Sequence, residues 1–221
     1  MEKIEYLELN AHINKKYALI WLHGLGANAD DFNFISDLLG IDNEYYVVCP
    51  NAPIRPVTIN QNVKMRSWHD IASLTDPEKN RYEGIFESEQ LIISLIEELV
   101  SKGFDYQSII LGGFSQGGAM SLWIGARYKH QLKGLICLSG YIPIIFLEHE
   151  ESLNRFSDLP IFFGHGNDDQ TVLLEHATAS IEWLESKQYT IDKFFYSVGH
   201  EICQDEFQDL QKWLNKNEKH A

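Results

Sequence analysis

The apolar positions of this chain fall into two alternating rhythms. Short continuous runs read as buried strands: Ala18 to Leu22, Tyr45 to Cys49, Ile109 to Leu111, Leu135 to Gly140 and Pro160 to Phe163. Lys193 to Tyr196 reads as the last strand, and Ile4 to Leu9 alternates apolar with polar, as an edge strand does. Between the runs the spacing turns helical. Phe32, Ile35, Leu38 and Leu39 predict a helix over 30–39 with Asp30 as its cap. Leu91, Ile92, Leu95, Ile96, Leu99 and Val100 oppose Glu89, Glu97 and Glu98 on a helix over 87–100 that Gly103 ends. Helices are predicted over 119–128 and 172–187, and a final one carries Phe207, Leu210, Trp213 and Leu214. Residues 51–66, with Pro53 and Pro56, and 141–156, with an apolar run from Ile142 to Leu147, read as irregular. Alternating strands and helices give an α/β fold: a mostly parallel sheet with helices on both faces and working residues at its C-terminal strand ends.

Composition narrows this. With 221 residues, 44% of them hydrophobic, the chain is expected to form a single domain over 1–221. Its net charge of -14 argues against nucleic acid as a partner and against anionic membrane surfaces, while leaving a local apolar patch free to touch lipid. The three cysteines, Cys49, Cys137 and Cys203, are too few and too far apart to suggest a disulfide framework or a zinc site. No apolar leader follows Met1 and no uncharged run reaches membrane-span length, so a cytoplasmic protein is expected.

The strand ends carry the chemistry. Ile109 to Leu111 runs into Gly113-Phe114-Ser115-Gln116-Gly117, a G-x-S-x-G pattern between strand and helix. A serine on so sharp a turn takes strained backbone angles, and side chains two residues to either side would collide. Gly113 and Gly117 remove them, and Gly118 lets the helix lie close to the sheet. The hydroxyl then stands at a helix N-terminus that favours negative charge. A serine is a poor nucleophile at neutral pH, so it needs a base, and the base needs a carboxylate to orient it. His23, His69 and His165 also fall in loops at strand ends, but only His200 follows the last expected strand, in the order serine, acid, histidine. Asp168 and Asp169 both follow the strand before it, and spacing leaves the pair open. His23-Gly24-Leu25-Gly26 is a turn whose backbone N–H groups suit an oxyanion. No set of spaced ligands amounts to a metal site, and no cofactor is expected.

Leu22 to Gly26, Gly113 to Gly118, His165 to Asp169 and Gly199-His200, with Pro53 to Thr58 and Leu138 to Pro143, occur in one order over nearly the whole chain. Together they resemble the carboxylesterase, acyl-protein thioesterase and lysophospholipase family of α/β hydrolases. The resemblance implies the α/β-hydrolase fold and a serine hydrolase of carboxylic esters or thioesters, working through an acyl-enzyme on Ser115. It places the triad acid on Asp169, the last position of H-G-x-x-D, and the oxyanion donors on the backbone N–H groups of Leu25 and Gln116. It also implies an apolar acyl groove, for which Trp68, Ile71, Tyr141 and Ile142 are the candidates. Short or medium acyl esters and thioesters are the expected substrates. A lysophospholipase or depalmitoylating thioesterase on long chains is the alternative. A peptidase on this fold would need a further binding domain, and a non-catalytic binding protein would show a damaged triad position. The loops over 51–75 and 141–156 are candidates for a lid, a transient lipid contact or a homodimer face.

Overall fold

In chain order the elements are β1 (Tyr6–Leu9), β2 (Tyr17–Leu22), α1 (Ile35–Leu39), β3 (Tyr45–Pro50), β4 (Ile54–Val57), β5 (Val63–Arg66), α2 (Ile85–Ser101), β6 (Ile109–Phe114), α3 (Gln116–Arg127), β7 (Gly134–Leu138), α4 (Ile145–Glu148), β8 (Pro160–Gly166), α5 (Leu174–Ser186), β9 (Thr190–Tyr196) and α6 (Gln204–Glu218). The computed structural model describes residues 3–10, 15–41, 43–74, 76–154, 156 and 158–218. Met1 and Glu2 of the N-terminal stretch, and Thr75 and Arg155 of the two candidate lid loops, lie outside the described residues.

Seven strands pair in the order β1-β3-β2-β6-β7-β8-β9, all parallel except β1, which lies antiparallel on β3 at one edge. The continuous apolar runs take the middle. Every residue of β2, β3 and β7 is buried, because helices cover both faces of a parallel sheet. One face packs Ile20, Val48 and Leu111 against Ile92 and Leu95 of α2, Trp123 of α3 and Leu184 of α5. The other packs Leu19, Trp21, Val47 and Ile136 against Leu39 of α1 and Leu210 and Trp213 of α6. Each such aliphatic side chain taken out of water contributes roughly 1.5–3 kcal/mol, against the conformational entropy of ordering it. The mostly parallel sheet with helices on both faces expected from the alternating rhythm is the one observed, and it is the α/β-hydrolase arrangement that the resemblance implied.

Three segments differ from the sequence reading. The helix expected over 30–39 is a 3-10 turn, Ala29–Phe32, followed by the shorter α1. Its cap is Asn28 rather than Asp30: the Asn28 side chain accepts the Asp30 N–H at 2.8 Å, and Asp31 returns a carboxylate to the Asn28 N–H at 2.9 Å. The irregular stretch 51–66 contains an antiparallel hairpin, β4 on β5, with Pro56 facing Lys64. Proline fits there because a two-stranded ribbon has edges that need no donor. The stretch 141–156 holds α4 and a 3-10 turn, Glu150–Ser152. No helix among the described residues is long and apolar enough to cross a membrane.

Candidate active site

Ser115 sits between the end of β6 and the start of α3 with φ 55° and ψ -119°. For a residue with a Cβ this costs of order 1–3 kcal/mol, so the surroundings must hold it. They do: its N–H donates to the Leu138 carbonyl at 2.8 Å, and its carbonyl accepts from Ala119 at 3.0 Å. A Cβ on Gly117 would lie 2.0 Å from the Leu22 carbonyl oxygen, and one on Gly113 would lie 2.5 Å from the same atom. Only glycine at both positions lets β2 pass that close to the turn.

His200 reaches the serine from the loop after β9. Its Nε2 is 2.9 Å from the Ser115 Oγ and its Nδ1 is 2.7 Å from the Asp169 Oδ2. A carboxylate only accepts, so Nδ1 carries the proton and Nε2 is left as an acceptor for the serine hydroxyl. The Asp169 side chain is buried, and its Oδ1 accepts the N–H groups of Thr171 and Val172 at 2.8 and 2.9 Å. The loops meet because Gly166 lies against the backbone of Val198 and Gly199, where a Cβ would stand 2.3 Å from the Gly199 carbonyl oxygen. Asp168 is exposed, held by its backbone N–H to the Val198 carbonyl, and its side chain takes no part in this chain of contacts.

The other top-face histidines are occupied in the structure. His23 donates from Nδ1 to the Gly24 carbonyl at 2.7 Å and accepts the Ala52 N–H on Nε2 at 3.0 Å. His69 is fully buried, donates to the Asp70 carbonyl at 2.9 Å, and is pushed by burial down to about 4. His165 donates to the Val172 carbonyl at 2.9 Å. Burial lowers the pKa of His23 and of His165 as well, since a desolvated imidazolium is costly.

The turn at residues 23–26 lies against the serine, so that a Cβ on Gly24 would be 3.5 Å from that of Ser115. Among the described residues, the Leu25 N–H is given to no backbone acceptor, and Gln116 opens α3, where the first N–H groups of a helix have no partner within it. The four candidates for an acyl groove are placed unequally. Ile142 is partly buried, Ile71 is 3% and Tyr141 8% exposed. Trp68 has no exposed surface: its indole donates to the His23 carbonyl at 2.8 Å, so it supports the turn and is not placed to line a groove. Large apolar side chains are exposed instead on and beside the β4–β5 hairpin, at Ile54, Ile59 and Val63, and at Phe86 and Leu147. Leu147 ends the apolar run from Ile142 that the sequence displays, whereas spacing missed Ile54, Ile59 and Val63, since Pro53 and Pro56 signalled only a loop. The clefts of about 930 Å³, below the N-terminal strand ends, and about 740 Å³, beside β4, include none of Ser115, Asp169 and His200. No group of three or more His, Cys, Asp and Glu among the described residues is placed to hold a metal ion.

Residues 9–218 match the family described as Phospholipase/Carboxylesterase. The chain is 33% identical to the acyl-protein thioesterase 1 of Yarrowia lipolytica over 210 residues, covering 91% of this chain and 92% of that one. The crystal structure of Arabidopsis thaliana SOBER1 superposes with a TM-score of 0.82 at 26% identity, over 91% of this chain and 98% of that one. That of Zea mays acyl-protein thioesterase 2 gives 0.81 at 24% identity, over 96% and 98%, a likeness of fold.

Proposed function

The chain belongs to the phospholipase/carboxylesterase family, and from that footing we propose that it hydrolyses acyl esters and thioesters through an acyl-enzyme on Ser115. The broader statement, that it is a carboxylic ester or thioester hydrolase, comes with the family and with relatives named acyl-protein thioesterase. The finer one is carried by a single observation: the His200 ring bridges the Ser115 hydroxyl and the buried Asp169 carboxylate at 2.9 and 2.7 Å.

The chemistry follows from those contacts. As Ser115 Oγ bonds to the acyl carbon, its proton passes to His200 Nε2, and Asp169 stabilises the imidazolium that results. The carbonyl oxygen becomes an oxyanion facing the Leu25 and Gln116 N–H groups; a donor of this kind is typically worth about 10²–10³ in kcat. Collapse of the intermediate expels the thiolate or alkoxide, which takes the proton from His200. Water then enters, gives a proton to Nε2 and attacks the ester on Ser115. The second collapse breaks the bond from Oγ to the acyl carbon, returns the proton on Nε2 to the serine and releases the carboxylic acid, which then ionises in water.

For the substrate, the reading favoured is a protein-bound thioester with a medium or long acyl chain. The relative's name supports it, as do the apolar side chains exposed around the β4–β5 hairpin, whose end is tied to the serine-side turn by the Gly26 N–H to the Arg66 carbonyl at 2.9 Å. The test is the rate on p-nitrophenyl esters from acetyl to dodecanoyl, with Ser115→Ala alongside. We expect a maximum beyond the shortest chains and a loss of about 10⁴-fold or more in the variant. A maximum at acetyl leaves a small-molecule carboxylesterase. A variant as fast as the parent removes Ser115 from the mechanism.

A further inference from the structure

The serine-side turn and the nucleophile turn belong to different strands, β2 and β6, yet the two N–H groups that would face the oxyanion must keep a fixed separation. The structure contains a piece of chain that spans them. From the last residue of β5 onward, residues 66–69 cross from one to the other. On the β2 side, the Arg66 carbonyl accepts the Gly26 N–H at 2.9 Å, and the Trp68 indole N–H donates to the His23 carbonyl at 2.8 Å. The Trp68 and His23 rings also pack together, tilted by 38° with centroids 5.2 Å apart. On the β6 side the partner is the side chain of Gln116. Its Oε1 accepts the Trp68 N–H at 3.0 Å, and its Nε2 donates to the His69 carbonyl at 2.8 Å. Trp68 and Gln116 are 0% and 3% exposed, so water does not compete for these bonds.

We propose that residues 66–69 form a strap that sets the distance between the two oxyanion donors, with Trp68 and the Gln116 side chain as positioning residues for the transition state. This rests on the reading of Ser115 as nucleophile, and on Leu25 and Gln116 as donors. Gln116 then has two parts with two tasks: its backbone N–H faces the anion and its side chain holds the strap. The ground-state carbonyl carries little charge, so a donor displaced by a fraction of an ångström is felt mainly when the oxyanion forms. The strap therefore acts on kcat and leaves KM almost alone.

Trp68→Phe keeps an aromatic ring against His23 and removes the indole N–H together with part of the buried ring volume, whose cost falls on stability. On p-nitrophenyl butyrate, at a temperature well below its melting point, we expect kcat to fall about 10–100-fold with KM within about twofold. Butylboronic acid, which adds to a serine Oγ as a tetrahedral anion, should lose affinity in parallel with kcat/KM. Gln116→Met keeps the backbone N–H and removes the side-chain bonds; it should show the same signature, and it carries the test if Trp68→Phe does not fold. The double variant should lose no more than about threefold beyond the worse single, because both break one strap. A Trp68→Phe enzyme with a lowered melting temperature and unchanged kcat overturns the strap, since support of the fold alone moves only the former. Losses that multiply in the double variant overturn the single unit. Ser115→Ala separates the levels: if it is inactive while Trp68→Phe keeps full kcat, the strap alone fails, and if it stays active, the reading of the site fails.

Discussion

Asp168 and Asp169 are the same residue type one position apart, and their surroundings divide them. Asp169 is 2% exposed and accepts hydrogen bonds from His200, Thr171 and Val172, whereas Asp168 is exposed to solvent. We expect Asp169→Asn to lower kcat by about 10⁴-fold, since an amide offers His200 the wrong tautomer, and Asp168→Asn to stay within about threefold. Steady-state kinetics on the two purified variants decides it, and the reverse ranking would move the acid to Asp168. The serine, its glycines and His200 were legible in the sequence because each is tied to a strand end by position. Spacing left the neighbouring aspartates open, because successive residues on a turn point different ways; the resemblance named Asp169, and it is Asp169 that meets His200. Trp68 was legible as an aromatic near the site but not as a support, since nothing in its spacing announces a bond to the His23 carbonyl.

Among the elements, α6 carries a residue that spacing passed over. Glu206, third in the helix, is 1% exposed and lies so close to β8 that a Cβ on Gly164 would be 2.1 Å from its Oε1. Its carboxyl faces the Cys203 backbone, as in a capping box, but burial pushes its pKa up to about 8. The folded state thus keeps a proton that the unfolded chain releases above 4.5, so stability declines as pH rises from there through about 8. Glu206→Gln keeps an acceptor and removes that ionisation. Its melting temperature should exceed the parent's by more at pH 8 than at pH 5, and an equal offset at both would show that Glu206 is charged throughout. The strongly periodic elements, α2 and the central strands, were plain in the sequence because burial on one or two faces dictates their pattern. The β4–β5 hairpin was not: it is exposed at Ile54 and Val63, so no core imposes alternation on it, and its prolines read as breakers. The 3-10 turn at Ala29–Phe32 was masked by apolar spacing that suits one longer helix equally well.

Over the whole molecule, buried titratable groups oppose one another across neutral pH. His23, His69 and His165 all sit below the ordinary 6.5, His69 at about 4, because burial disfavours their charged form. The unfolded chain binds those protons more readily, so stability is lost as pH falls from 6.5 toward 4. Glu8, Glu97 and Glu98, lowered first by hydrogen bonds from Tyr46, Tyr128 and Tyr6, add losses only below 4.5. Below 6.5 three histidines outweigh Glu206; above it Glu206 acts alone until about 8. The melting temperature should therefore peak near pH 6.5, and thermal scans from pH 4.5 to 9 that rise steadily across that point would contradict the balance. The sheet order adds a matter of timing. Ser115 is 85 residues ahead of His200 in the chain, and Asp169 is 31 ahead. The serine is seated by β2, β6 and β7, while its base and acid arrive with β8 and β9, the last strands made. If Ser115 and His200 work as proposed, a nascent chain that has passed β7 but not yet reached β9 holds the serine turn without its base, and reactivity waits on the arrival of His200.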